Sequence, residues 1–222
     1  MSRKDDTKDM GKDTVIFKKN TKEYRVKVND IVFAERKKRT IRVHMSDASV
    51  LELNYISLSQ ILQNAQTDRL QLCNRSTIVN RDYISYVDPS NHYVNLRDQK
   101  GTFELGCYFK EKVMSSLADL DKEFLLRIDN IRYVIRVEDL LYAKSSDRAL
   151  HVYLCDGRGL KVSQKPIEYI LQQVKTDKLV RCARGVLVNR ECIAEMDSKH
   201  RKLRLAHGKR LEIGNRYVRL FE

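Results

Sequence analysis

The sequence predicts a mainly β protein built from two tandem copies of one module. Each copy is an antiparallel β fold with one or two short helices. Three observations carry that expectation. First, Cys73-Asn74-Arg75-Ser76-Thr77-Ile78-Val79-Asn80-Arg81 returns, altered, as Cys182-Ala183-Arg184-Gly185-Val186-Leu187-Val188-Asn189-Arg190. Residues 30–88 align on 139–197 without a gap, with about 19 identities in 59 positions, which makes a duplicated unit the first thing to explain. Second, most apolar residues lie in short runs alternating with polar ones, the pattern of half-buried antiparallel strands. Third, each copy has one stretch with helical spacing.

The elements follow in order. Ile16-Phe17 and Tyr24 to Val28 predict two strands, then Ile31-Val32-Phe33, and then Thr40 to Met45, where polar and apolar residues alternate. Leu58, Ile61 and Leu62 share one helix face, and Ser57 is placed to cap it. A Cys-x-Arg turn, a Val-Asn strand and a strand over Tyr83–Val87 come next. Asp88-Pro89-Ser90-Asn91 marks a turn. Strands around Val94–Leu96 and Phe103–Leu105 and a short final helix complete the copy.

The second copy repeats the order through Phe124–Ile128, Tyr133–Ile135, Leu140–Tyr142 and Leu150–Leu154. It continues with the helix of Ile167, Ile170 and Leu171, then Leu203, Leu205 and Leu211–Ile213. Pro166 stands where Ser57 stood, and proline favours a first helical turn. Between Leu205 and Leu211 the offset falls from 109 to 108, so one residue has been lost from that hairpin turn. The domains are expected at 14–118 and 119–222, with 1–13 a charged, disordered tail.

The net charge is +13 and the pI about 9.5. Both copies are basic, at +5 and +7, as expected of a chain that meets nucleic acid. The five cysteines include no C-x-x-C pair, so neither a zinc site nor a disulfide framework is predicted. The cysteines are expected to be reduced, structural thiols; the lesser alternative is that Arg75 and Arg184 lower the pKa of Cys73 and Cys182 and make them oxidisable. No apolar run is long enough to span a membrane. No leader is expected at the start, and the expected location is cytoplasmic. There is no Gly-rich phosphate loop, no H-E-x-x-H and no nucleophile elbow. Hence no enzyme and no cofactor are expected.

The segment Arg75-Ser76-Thr77-Ile78-Val79-Asn80, with Asp30-Ile31-Val32-Phe33-Ala34-Glu35 and the Leu58 helix, resembles the LytTR family of bacterial DNA-binding modules. The resemblance spans roughly 14–116 and 123–221. Copy two keeps Arg184 and Val188-Asn189 but has Gly185 for the serine, and Lys144 where the family usually has Glu. The resemblance implies an elongated β module, double-stranded DNA as partner, and no receiver domain within these residues. It implies contacts from three segments. The first is Arg36, Lys37, Lys38 and Arg39, matched by Ser145, Ser146, Asp147 and Arg148. The second is Asn74, Arg75 and Ser76, matched by Ala183, Arg184 and Gly185. The third is the start of the final helix, Gly106-Cys107 and Gly214-Asn215. There the family's arginine is absent, Arg216 follows in copy two, and Tyr108 takes its place in copy one.

The residues themselves support part of this. A loop arginine can grip guanine with two hydrogen bonds or clamp phosphate, and lysines beside it add salt-dependent affinity. Asn80 and Asn189 are expected to hold a turn. The function expected is a transcription regulator reading two half-sites, phased by about one helical turn or a multiple, ~10–10.5 bp. A monomer suffices for both. The alternative is that one module binds DNA while the other binds a regulatory protein partner or a second copy.

Overall fold

Two-residue turns and period-two alternation set the strands and their register. The computed structural model describes residues 14–19, 21–117 and 122–221. The predicted tail, 1–13, lies outside the described residues. The chain divides between Asp119 and Leu120 into two compact units.

In the first unit, β1 (Thr14–Lys19) and β2 (Lys22–Lys27) form a hairpin with Phe17 opposite Tyr24. Five strands then make one antiparallel sheet: β3 (Ile31–Lys37), β4 (Thr40–Met45), β5 (Val50–Asn54), β6 (Leu70–Asn74) and β7 (Thr77–Asn80). Their order is β5-β4-β3-β7-β6. Helix α1 (Leu58–Ala65) links β5 to β6. Strands β8 (Ile84–Asp88), β9 (Tyr93–Leu96) and β10 (Thr102–Glu104) form a meander, and α2 (Cys107–Ser116) follows.

The second unit repeats this plan. β11 (Glu123–Ile128) pairs with β12 (Ile131–Arg136). β13 (Leu140–Ser146), β14 (Ala149–Leu154), β15 (Gly159–Ser163), β16 (Leu179–Ala183) and β17 (Val186–Asn189) form a sheet of order β15-β14-β13-β17-β16. Helix α3 (Glu168–Leu171) precedes β16. Then come β18 (Ile193–Asp197), β19 (Lys202–Leu205), β20 (Arg210–Glu212) and a 3-10 turn over Asn215–Leu220.

The two cores coincide at the 109-residue offset. Phe17, Ile31, Ile41, Ile61 and Ile78 are buried in the first unit, and Leu126, Leu140, Leu150, Ile170 and Leu187 in the second. Of the helix residues expected on the apolar face, Leu58 and Ile61 are core and Leu62 is half-buried against it. Ser57 accepts from the Gln60 backbone N–H while the Gln60 side chain accepts from the Ser57 N–H, a capping box.

Two sequence expectations needed revision. Strands β5 and β15 were not anticipated, because only Leu53 and Val162 among their residues are buried. Leu51 and Leu160 also pack on the cores, but a face of two residues is too short a run for alternation to stand out. Helix α3 is a single turn, half the length of α1. Pro166 cannot supply the reciprocal capping that Ser57 and Gln60 provide. There the chain is held instead by Gln173, whose amide accepts from Leu125 N and donates to Leu125 O and Tyr169 O.

The Val-Asn-Arg motif holds each unit together. Asn80 is fully buried; its amide donates to Val28 O at 3.0 Å and Ile31 O at 2.7 Å and accepts from Asp82 N at 3.1 Å. Asn189, also fully buried, donates to Val137 O at 3.0 Å and accepts from Glu191 N at 3.1 Å. Arg81 then reaches Ser116 O and Arg190 reaches Leu220 O, so each fastens the end of its unit's last helical element.

Candidate nucleic-acid interface

In the sheet order β5-β4-β3-β7-β6, strand β3 lies between β4 and β7. The β3–β4 turn and the β6–β7 turn therefore emerge at the same end. Arg36 N donates to Ser76 O at 2.8 Å, joining the first two predicted contact segments directly. The third is joined by Gly106 N, which donates to Cys73 O at 2.8 Å. In the second unit, Ser145 N to Gly185 O and Gly214 N to Cys182 O repeat both bonds at 2.8 Å. All three predicted segments thus meet at one edge of each unit.

Glycine is needed where the last helical element begins. A Cβ on Gly106 would come within 3.1 Å of the Phe109 ring, and one on Gly214 within 3.3 Å of Tyr217. The close approach lets these backbone N–H groups reach the neighbouring strand.

The β3–β4 and β13–β14 turns each contain two residues. Asp147 and Arg148 both have left-handed φ, 52° and 57°, as a type I′ hairpin turn requires. In the first unit Lys38 has φ 57°. Arg39 and Arg148 stand exposed at these tips, and Arg75 and Arg184 stand exposed on the adjacent turns. None of the four makes a side-chain hydrogen bond or ion pair with the described residues of its unit. Lys38, Arg36 and Arg216 are likewise exposed, whereas Lys37 pairs with Glu35 at 3.2 Å. A guanidinium held on a short turn with no internal partner keeps its donors for an external acceptor.

The remaining predicted residues differ between units. The Asn74 amide donates to Glu104 O at 2.8 Å, while its oxygen accepts from Ser76 N at 2.9 Å and Ser76 Oγ at 3.0 Å. Asn74 and Ser76 therefore brace the turn that carries Arg75. Ala183 and Gly185 supply no such brace in the second unit. Ser145 and Ser146 are half-buried there, and Asn215 is exposed beside Arg216.

Two side chains at this edge lay outside the predicted set. Tyr108 is 90% exposed one residue into α2. Lys144 is exposed on β13 opposite Val186, next to the β16–β17 turn. The signal for both was their departure from the family's pattern. At the position of Lys144 the first unit has Glu35, which holds Lys37.

The idea that arginines activate Cys73 and Cys182 is corrected here. Both thiols are fully buried. Burial pushes Cys73 up to about 12 and Cys182 up to about 11, and no arginine lowers either. Cys73 donates weakly to Thr77 O within its own turn. These are packing residues beneath the turn.

Among the described residues, no cluster of His, Cys, Asp or Glu could hold a metal ion, and no helix is long and apolar enough to cross a membrane. No curated protein matches the chain. Among solved structures it is similar to one described as the LytTr DNA-binding domain of a methyl-accepting/DNA response regulator from Bacillus cereus. The identity is 16% and the TM-score 0.39, covering 45% of this chain and 93% of that one. The family model for the LytTr DNA-binding domain matches residues 21–117 and again 121–222. Matched twice and over most of its length, the chain belongs to the LytTr DNA-binding domain family.

Proposed function

We propose that this protein is a cytoplasmic transcription regulator that reads a bipartite duplex site, one half-site per LytTr domain. The domains are taken as 14–118 and 119–222. One observation carries the reading. In each unit the same two backbone hydrogen bonds gather three segments at one edge and leave an exposed, unpaired arginine pair there. The pairs are Arg39 with Arg75, and Arg148 with Arg184.

Arg75 and Arg184 are the best placed to grip a base edge, since bidentate arginine contacts to guanine discriminate by ~1–3 kcal/mol. Arg36, Lys37, Lys38, Ser145, Ser146 and Arg216 flank them and suit phosphate. Covalent linkage presents the second module at high effective concentration once the first is bound. The two modules differ around the shared arginine, Asn74/Ser76 against Ala183/Gly185, so the half-sites are expected to differ.

The test is selection of bound sequences from a random duplex pool by the full chain. Recovery of two distinct half-sites at a fixed spacing supports the proposal; one half-site, with Arg184→Ala binding as tightly as wild type, overturns it. That second outcome is what the alternative predicts, in which the second module binds a protein. Its support is the loss of Arg36, Lys37 and Lys38 to Ser145, Ser146 and Asp147.

A further inference from the structure

Cys155 and Cys192 lie 37 residues apart in sequence, yet their Sγ atoms are 3.6 Å apart. Neither thiol is fully buried and neither is in a disulfide. Cys155 ends the β14 strand region, and its N–H donates to Asp139 O at 2.8 Å. Cys192 closes the 3-10 turn after Asn189, and its carbonyl accepts from Ala206 N at 2.9 Å. Both sulfurs also lean on the same short segment, Cys155 toward Glu138 O and Cys192 toward Leu140 O, each at 3.7 Å. Their backbones are thus fixed by separate hydrogen bonds while the side chains converge.

The first unit has no equivalent. At the same offset stand Ser46 and Tyr83. Ser46 N makes the corresponding bond to Asp30 O, but the Tyr83 hydroxyl donates elsewhere, to Asn29 O at 2.8 Å. The backbone frame is common to both copies, and the facing thiols belong to the second alone.

We propose that Cys155 and Cys192 are a redox-modifiable pair that closes into a disulfide on exposure to a hydroperoxide, covalently clamping the second LytTr domain. The stoichiometry is two thiols and one hydroperoxide giving one disulfide, one alcohol and one water. The thiolate of either cysteine attacks the peroxide and the O–O bond breaks. The sulfenic acid forms and the alkoxide takes up a proton. The sulfur of the other cysteine then attacks the oxidised sulfur, the S–S bond forms, and hydroxide leaves as water with the second thiol's proton. The two sulfurs lose two electrons together and the peroxide gains them. Burial, the Cys192 sulfur, and the Asp139 and Asp156 carboxylates push the Cys155 thiol up to about 12.

The closed loop would contain β15, α3, β16, β17 and the turn bearing Arg184. A crosslink of that length restricts the unfolded chain strongly. It would tie the loop's two ends together without passing through the Arg184 turn itself. Oxidation would thus stabilise the domain selectively and leave its DNA-facing edge in place.

The experiment uses the full chain treated with hydrogen peroxide, followed by blocking of free thiols, non-reducing peptide mapping and a thermal melt. The expected result is a crosslinked peptide pair joining Cys155 to Cys192, reversed by dithiothreitol. A rise in Tm of several degrees, on the order of 10 °C, should accompany it. Cys155→Ser and Cys192→Ser should each abolish both, whereas Cys107→Ser should change neither. The proposal is overturned if Cys155 and Cys192 remain free for alkylation after treatment. It is also overturned if Cys192 advances to sulfinic acid with Cys155 unmodified, or if the only disulfides run between molecules through Cys107.

Discussion

Arg36 N donates to Ser76 O at 2.8 Å, and 109 residues later Ser145 N donates to Gly185 O at the same distance. Both side-chain pairs differ between the copies, Arg36 against Ser145 and Ser76 against Gly185, yet the backbone bond is kept. The interface frame is therefore written in main-chain geometry, and the side chains on it are free to differ.

If that frame presents Arg75 and Arg184 to bases, removing either guanidinium should cost binding without costing stability. Arg75→Ala and Arg184→Ala are each expected to weaken specific binding by ~1–3 kcal/mol and relax base preference in one half-site. Fluorescence anisotropy on selected and mutated sites measures this. Equal loss on all sequences would reduce these arginines to phosphate clamps.

Lys38 should behave differently. As a tip cation it is expected to contact phosphate, so Lys38→Ala should lower affinity evenly across sequences. It should also reduce the slope of log K against log salt by about one. A titration of binding over a range of salt concentrations checks this, and an unchanged slope removes Lys38 from the interface.

Asn80 and Asn189 are buried with their amides engaged, so replacing either strands backbone groups. Asn80→Ala leaves Val28 O, Ile31 O and Asp82 N without that partner, at an expected cost of ~1–3 kcal/mol. Asn189→Ala is expected to act in the same range on the second unit. Urea unfolding gives the values. A neutral result would mean that water substitutes for the amide.

The buried thiols make stability pH-dependent on the alkaline side. Cys73 and Cys182 have folded values near 12 and 11 against an ordinary 9.0. Their contribution is complete below pH 9 and fades as the pH climbs through those folded values, because the unfolded chain ionises first. Cys73→Ala should therefore lose less stability than wild type between about pH 8 and about pH 10.5. Parallel pH profiles for the two proteins would show that Cys73 does not contribute.

The helices should depend on different residues. Ser57→Ala breaks the capping box of α1 and is expected to cost about 1 kcal/mol. The corresponding change, Pro166→Ala, removes no side-chain cap. In the second unit the sensitive residue should be Gln173, whose substitution by Ala frees both polar groups of Leu125. Thermal melts of the three variants separate these expectations.

Much of this was readable before the structure. The duplication gave the two-unit plan, and period-two runs with buried faces gave β3, β4 and β14. Capping chemistry placed the start of α1. Where the reading failed, the physics had left little trace. Strands β5 and β15 each turn only two residues to the core, Leu51 with Leu53 and Leu160 with Val162, a run too short to stand out. Helix α3 keeps the apolar spacing of α1 but not its cap, and spacing alone does not distinguish one turn from two. The bracing role of Asn74 depends on Glu104, 30 residues away, and no local pattern encodes that bond. The Cys155–Cys192 pair was invisible for the same reason.

The loop between β9 and β10 spans residues 97–101, and that between β19 and β20 spans 206–209. One residue has vanished, yet Gly106 N and Gly214 N still meet Cys73 O and Cys182 O at 2.8 Å. The glycine anchor works as a shock absorber: length changes upstream are spent in the hairpin and never reach the edge that carries the arginines. Copies of this module can gain or lose hairpin residues over evolutionary time without losing register on their ligand.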